Sequence, residues 1–309
     1  MINEVRNTVL SVLNKNNFGY ISPSDFNLYA ENAQMEIYEE YFANYNKSIN
    51  LENTRVAGSD YAEVEGPIAE ALETFLVTNY LSHIGANIFS APSLVTTNDT
   101  SYYILKMLCY PHVLQTGTNT SILIDSLDDS NATFITNGVK IGDIAVNTTT
   151  NDVATVISVI SETQLLLDAD IFTSSGDDYV IISQKIKEAE KVSVGKITML
   201  NSSLLTAPNN IFPSYTLEGD KIKIFPNTMT YYGQLQAVYF RHPKPPKWTY
   251  VSIFNGEPSF NQSAVDYQDF ELPPEDIYKL VTVILRYCGI SIRETEVAQY
   301  AMAQEQQQQ

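Results

Sequence analysis

The chain predicts an α+β fold: a helical bundle formed by N- and C-terminal helices, with a large antiparallel β excursion that carries an inserted small β-barrel or sandwich. Three observations predict it. Apolar residues recur at helical spacing near both ends of the chain. The long stretch between is rich in Thr, Val, Ile and Tyr, with turn residues every eight to twelve positions. Of the 309 residues 44% are hydrophobic, enough to fill a core, which excludes disorder as the general state.

The first element, over residues 2–13, places Ile2, Val5, Val9, Val12 and Leu13 on one helical stripe, and Asn16, Asn17 and Gly19 stop it. Ser22-Pro23-Ser24-Asp25 then starts a second helix. Ser22 accepts from exposed backbone N–H groups, Pro23 suits the first turn, and Asp25 complements the helix dipole. Its apolar face of Phe26, Ala30, Ala33, Ile37 and Tyr41 carries it to about Tyr45, with Glu31, Glu36, Glu39 and Glu40 on other faces. Gly66-Pro67 opens a third helix, in which Ile68, Ala71, Leu72, Phe75 and Leu76 follow the i, i+3, i+4, i+7, i+8 template.

The middle has strand grammar. Residues 121–124, 144–147, 153–160, 163–167 and 179–183 read as short strands, with turns at Thr150-Asn151-Asp152 and Ser161-Glu162, so 111–184 is expected as a self-contained inserted module. Beyond it, residues 215–217, 221–225 and 235–240 are strands. Gly219-Asp220 makes a hairpin turn between the first two.

At the far end Pro273-Pro274-Glu275-Asp276 precedes a helix with Ile277, Leu280, Val281, Ile284, Leu285 and Cys288 in one stripe, and Gly289 fits its left-handed cap. Ser291 and Glu294 have capping-box spacing, so a separate terminal helix is expected through Tyr300, followed by a glutamine-rich tail that only a partner would order. Each stripe needs a partner. The expected division is therefore a bundle from 1–95 and 261–309, a host β region from 96–110 and 185–260, and the insertion at 111–184.

There is no G-x-G-x-x-G after a strand, no G-x-x-x-x-G-K-[ST], H-E-x-x-H, C-x-x-C or G-x-S-x-G. Cys109 and Cys288 cannot build a disulfide framework, and His83, His112 and His242 lie in three different regions. Asp125, Asp128 and Asp129, and Asp168 with Asp170, are carboxylate clusters beside turns. They lack the spacing and Gly of a calcium loop, and among 36 acidic side chains they read as solvated loops. The expectation is a non-enzymatic protein with no cofactor and no metal.

Charge says more. The formal net charge is −18, which excludes wrapping a nucleic-acid backbone through net positive charge. Residues 185–247 nevertheless hold nine basic side chains (Lys185, Lys187, Lys191, Lys196, Lys221, Lys223, Arg241, Lys244 and Lys247) against four acidic ones, a net +5. The insertion has Lys140 against ten acids, a net −9. Such a split suits head-to-tail contacts between copies, in which the basic waist of one meets an acidic part of the next. The run from Arg241 to Tyr250, with three prolines and the chain's single Trp, reads as a stiff extended strap, with Trp248 as a candidate interface anchor. Residues 1–20 carry Glu4 and Arg6 where a signal peptide holds an apolar run, and 68–81 is interrupted by Glu70, Glu73 and Asn79, so a soluble chain without membrane contact is expected.

Several phrases resemble neck and tail ring proteins of crAss-like podophages. They are the opening 13–23 (LNKNNFGYISP) with Phe26-Asn27, Phe212-Pro213-Ser214-Tyr215, Glu218-Gly219-Asp220, Phe225-Pro226, and Arg241-His242-Pro243-Lys244-Pro245-Pro246-Lys247-Trp248. The closing stretch from Phe270-Glu271-Leu272-Pro273 to Gly289-Ile290 belongs with them. The segment with Gly138-Val139-Lys140-Ile141-Gly142-Asp143 and Asn147-Thr148-Thr149 resembles a β module of various phage structural proteins. The resemblance implies a virion protein of the head-to-tail connector, a ring of about twelve copies. Its partners would be the portal and other neck or tail ring proteins, with genomic DNA passing through without sequence-specific binding. Lys221, Lys223, Arg241, Lys244, Lys247, Trp248 and Tyr300 are the candidate contacts with neighbouring copies or partners. Twenty tyrosines raise an alternative, a tail-associated carbohydrate- or receptor-binding β module. Tyr29, Tyr38, Tyr41 and Tyr45 fall on predicted helices, which favours the first reading.

Overall fold

The structure, a computed structural model, describes residues 1–14, 21–54, 66–252 and 258–291. The fold is mixed α+β and divides into two compact units, Met1–Phe75 with Pro243–Gln309, and Leu76–His242.

The first unit begins with helix α1 (Ile2–Asn14), α2 (Pro23–Thr54) and α3 (Gly66–Glu73). In α1 the buried set is Ile2, Val5, Val9 and Leu13, while Val12 turns to solvent. Helix α2 runs past Tyr45 because neither Gly nor Pro falls between Pro23 in its first turn and Gly58. Its expected face of Phe26, Ala30, Ala33, Ile37 and Tyr41 is buried, together with Tyr38. Helix α3 stops at Glu73, short of the expected Leu76. Phe75 still packs inward, edge-on to Tyr38 with centroids 4.9 Å apart.

The second unit follows with β1 (Leu76–Tyr80), β2 (His83–Gly85), β3 (Ile88–Ser90) and β4 (Ser101–Cys109). The insertion comes next: β5 (Val113–Thr118), β6 (Ser121–Leu123), β7 (Ser126–Asp128), β8 (Ile144–Asn147), β9 (Asp152–Val159), β10 (Gln164–Leu167) and β11 (Asp178–Ile182). The chain then returns through β12 (Lys187–Glu188), β13 (Glu190–Lys191), helix α4 (Val194–Asn201), β14 (Ser214–Glu218), β15 (Lys221–Phe225) and β16 (Leu235–Arg241). Two sheets, ordered β1-β16-β4-β12 and β13-β14-β15-β3-β2, enclose one core of Met107, Cys109, Leu235, Ala237 and Tyr239 from the first and Phe89, Tyr215, Ile222 and Ile224 from the second. Among the described residues only β13 and β14 run parallel. Gly219 opens the β14–β15 turn at φ +63°, the positive-φ conformation that tight hairpin turns use.

The seven strands of the insertion form one sheet, β5-β11-β8-β9-β10-β7-β6, which does not close into a barrel. Strands β8 and β11 are buried on both faces. Ala145, Tyr179 and Ile181 point into the insertion's own core, whereas Ile144, Val146, Val180 and Ile182 pack with Tyr110, Tyr80, Tyr231 and Tyr232 of the host. Two-sided burial explains why these strands read as unbroken apolar runs rather than as alternation. The insertion is seated on the host sheet, not tethered to it.

The chain re-enters the first unit at Pro243 and forms a small hairpin, β17 (Tyr250–Ser252) with β18 (Pro258–Phe260), then one 3₁₀ turn at Pro274–Asp276 and helix α5 (Ile277–Ser291). Helices α1 and α2 pack on α5, and α3 on α2, so helices from both chain ends share one core. Gly289 lies inside α5, buried, instead of capping it. Tertiary packing outweighs the roughly 1 kcal/mol that glycine costs in a helix. The terminal helix expected beyond Ser291 lies outside the described residues.

Candidate interaction surfaces

In the first unit the strap is held to α2 by two polar side chains that its apolar face carries seven residues apart. Asn27 grips the Trp248 backbone from both sides: its Oδ1 accepts from the Trp248 N–H at 2.8 Å and its Nδ2 donates to the Trp248 carbonyl at 3.2 Å. Gln34, 1% exposed, donates to the Lys244 carbonyl at 2.8 Å and accepts from the Glu271 N–H at 3.0 Å. The Glu271 carboxylate in turn accepts from the Lys244 N–H at 2.8 Å. A Pro-rich segment has few N–H groups of its own to satisfy, so side chains of a neighbouring helix can clasp it without a sheet.

The clasp delivers Trp248 to the interior. Its ring is stacked near Tyr250 and Phe260 at 5.7 and 5.9 Å, the Arg6 guanidinium lies 3.8 Å from its centroid, and its Nε1 donates to Asn3 Oδ1 at 3.1 Å. At 2% exposure it anchors the strap within its own chain. The expectation of a partner-facing anchor is corrected accordingly: an aromatic ring beside an extended polar segment finds its apolar surroundings within the chain.

A second non-local device caps α1. Asp269 accepts from the Ile2 N–H at 2.7 Å and from the Met1 amino group at 3.1 Å, serving as an N-cap supplied from the far end of the sequence. Burial draws its carboxyl upward, but donation from Ile2, the amino group and Phe270 outweighs this and holds it below the ordinary range. Helices α2 and α5 are joined by Glu36 with Arg286 and Tyr287 and by Lys279 with Glu40 at 2.7 Å, and Tyr41 of α2 donates its hydroxyl to Asp276 in the 3₁₀ turn before α5. Burial first, then that bond, pushes the Tyr41 phenol far above its usual range. An open cleft of about 750 Å³ lies beside it, lined by Glu70, Thr74, Glu271, Glu275 and Asp276, an acidic mouth that repels phosphates.

The candidate cations fall in both units. Lys221 and Lys223 project from β15 at i and i+2, on the face opposite the buried Ile222 and Ile224; Lys221 sits across from Glu218, and the Lys223 ammonium lies 5.6 Å from the Phe225 ring. Arg241 ends β16 and donates to the His242 carbonyl at 3.2 Å. Lys244 and Lys247 belong to the strap, Lys247 pairing with Asp266 at 2.6 Å. Tyr300 lies outside the described residues.

The carboxylate clusters serve the loops that hold them. Asp129 accepts from Tyr179 at 2.7 Å, Asp128 from Ser121, and Asp168 from the Thr155 N–H at 2.6 Å. The phrases of the insertion are latches: Asp143 accepts from the Lys140 and Gln184 N–H groups, and buried Asn147 bonds Ile171, Asp177, Thr149 and Thr150. Among the described residues no group of three or more His, Cys, Asp or Glu is arranged to hold a metal ion, and no helix is long and apolar enough to cross a membrane. Burial pushes both thiols, Cys109 and Cys288, up to about 12. The three aromatic rings of the insertion, Phe134, Phe172 and Tyr179, are all buried, which leaves it without an aromatic platform for sugars.

Comparison with protein-family models finds no match, and comparison with curated proteins finds none either.

Proposed function

We propose that this chain is a non-enzymatic virion protein, a subunit of a ring in the neck or tail of a phage that surrounds the DNA channel between head and tail. About twelve copies would form the ring. The observation that carries the reading is the division of charge within one chain: an insertion of net −9 and a segment of net +5 give each copy both halves of a head-to-tail contact. The phrases similar to crAss-like ring proteins support it, as do a helical unit latched by Asn27, Gln34 and Asp269 and an insertion seated on its host sheet. Rigid parts of this kind transmit position from one ring layer to the next. The bundle made by the two chain ends is the ring scaffold in this reading, the portal and other ring proteins are its partners, and DNA passes without sequence-specific contact. The test is the copy number of the chain in purified virions, measured by quantitative mass spectrometry against the portal. Equimolarity or a simple multiple is expected. A copy number matching trimeric fibres or capsid decoration, or absence from the particle, overturns the proposal.

A further inference from the structure

Helix α4 and the loop after it reverse the usual arrangement of a protein surface. Ser193 caps α4, and Ile197 packs against Val192 and Phe225. From there the polar side chains turn back to hold the backbone. Ser202 donates to the Thr198 carbonyl and Thr206 to the Leu200 carbonyl, each at 2.9 Å, and Asn209 accepts from the Ile211 and Phe212 N–H groups at 2.8 and 3.0 Å. The large apolar side chains face water instead: Leu204 at 101% and Leu205 at 97% exposure, with Met199, Ile211 and Phe212 also exposed. A loop that uses its polar groups internally and presents its leucines is ordered for a contact that the single chain does not make. Its flank carries Lys191 and Lys196, both exposed, with the Lys196 ammonium 4.0 Å from the exposed Glu190 in a loose, solvent-facing pair that a new partner can replace.

The same chain carries a surface of matching character. Strand β6 is a terminal strand of the insertion's sheet, bonded on one side only, to β7. Ile122, Leu123 and Ile124 are exposed there. The rim is acidic: the Leu167 N–H donates to the Asp125 carbonyl at 2.7 Å, which brings Asp125 beside Asp168, and both are exposed, as is Asp170. An open apolar edge strand is a pairing site unless something covers it.

We propose that the loop of one copy, residues 194–212, docks on the β6 edge of a second copy, with Lys191 and Lys196 meeting Asp125, Asp168 and Asp170. Two different surfaces of one chain then meet, so the contact is heterologous and propagates head to tail, closing to a ring when the rotation permits. Closure to a ring rests on the function proposed above; the contact itself does not.

The experiment uses the full chain, light and heavy isotope forms mixed, with a zero-length amine-to-carboxyl cross-linker. Peptides joining Lys191 or Lys196 of one isotope form to Asp125, Asp168 or Asp170 of the other are expected. In sedimentation velocity, L204D/L205D and I122D/I124D, both confined to exposed positions, each weaken self-association by about tenfold or more. An equimolar mixture of the two restores one-to-one dimers and nothing larger, since each pair keeps a single intact contact. Cross-links that map elsewhere, variants that assemble like the wild type, or a chain that stays monomeric without inter-chain cross-links overturn the proposal. If the cross-links appear but the virion copy number does not match the portal, the contact stands and the ring reading falls; a matching copy number without them does the reverse.

Discussion

Replacing Gln34 with Ala tests whether the strap is a structural clasp. The side chain makes two bonds, at 2.8 Å to the Lys244 carbonyl and at 3.0 Å from the Glu271 N–H, and is itself 1% exposed. Each bond contributes about 1 kcal/mol net, and a backbone group left without a partner in a buried setting costs about 1–3 kcal/mol. Lys244 is exposed, so water replaces part of the loss on that side. The expected destabilisation is about 2–3 kcal/mol, a large share of the roughly 5–15 kcal/mol typical of a domain. The chain's single Trp is buried in the same unit beside Tyr250 and Phe260, so Trp248 fluorescence during urea unfolding reports on this unit directly. Asn27→Ala, which frees the Trp248 backbone, should cost about 2 kcal/mol by the same reasoning. The double variant should cost less than the sum, because both side chains hold one strap and its release through either loses part of the other. Glu31→Ala, at an exposed position of α2, should fall within about 0.5 kcal/mol of the wild type. A Gln34→Ala midpoint indistinguishable from that control refutes the clasp.

Gly233→Ala should unseat the insertion: φ is +83°, and an added Cβ would lie 2.7 Å from Val146 Cγ2. A loss of about 1–3 kcal/mol is expected in thermal unfolding, with partial recovery in Val146→Ala/Gly233→Ala. Asp269 is depressed in the folded state, so its contribution is complete above the unfolded carboxylate value of about 3.9 and is lost as pH falls through the lower folded value. Asp269→Asn should therefore destabilise at neutral pH by about 1 kcal/mol and flatten the acid limb of the urea midpoint against pH. Cys109 and Cys288, buried with thiols raised to about 12, should resist Ellman's reagent in the native protein and both react in denaturant.

The amino-acid sequence by itself determined the α+β class, the helices at each end, the face that α2 buries and the Gly219-Asp220 hairpin, because each depends on spacing or on one residue's backbone freedom. It also located the strap and the latch motifs of the insertion, without saying what they hold. Tertiary structure decided the rest. Leu76 fits a helical stripe, yet it begins β1 because β16 supplies backbone partners and Val77, Thr78 and Tyr80 suit a strand. Trp248 had the composition of a partner anchor, and only the fold brought Asn3, Arg6 and Asn27 to it from more than two hundred residues away. Asn27 and Gln34 were visible as polar residues on an apolar face, but their partners are backbone groups, which leave no trace in side-chain pattern. The exposure of Leu204 and Leu205 was equally hidden, since a leucine in a loop reads the same whether it packs or faces water. Local rules act through neighbours in the chain. Burial and hydrogen-bond partnership are set by neighbours in space, and for the strap and the start of α1 those come from the opposite end of the sequence.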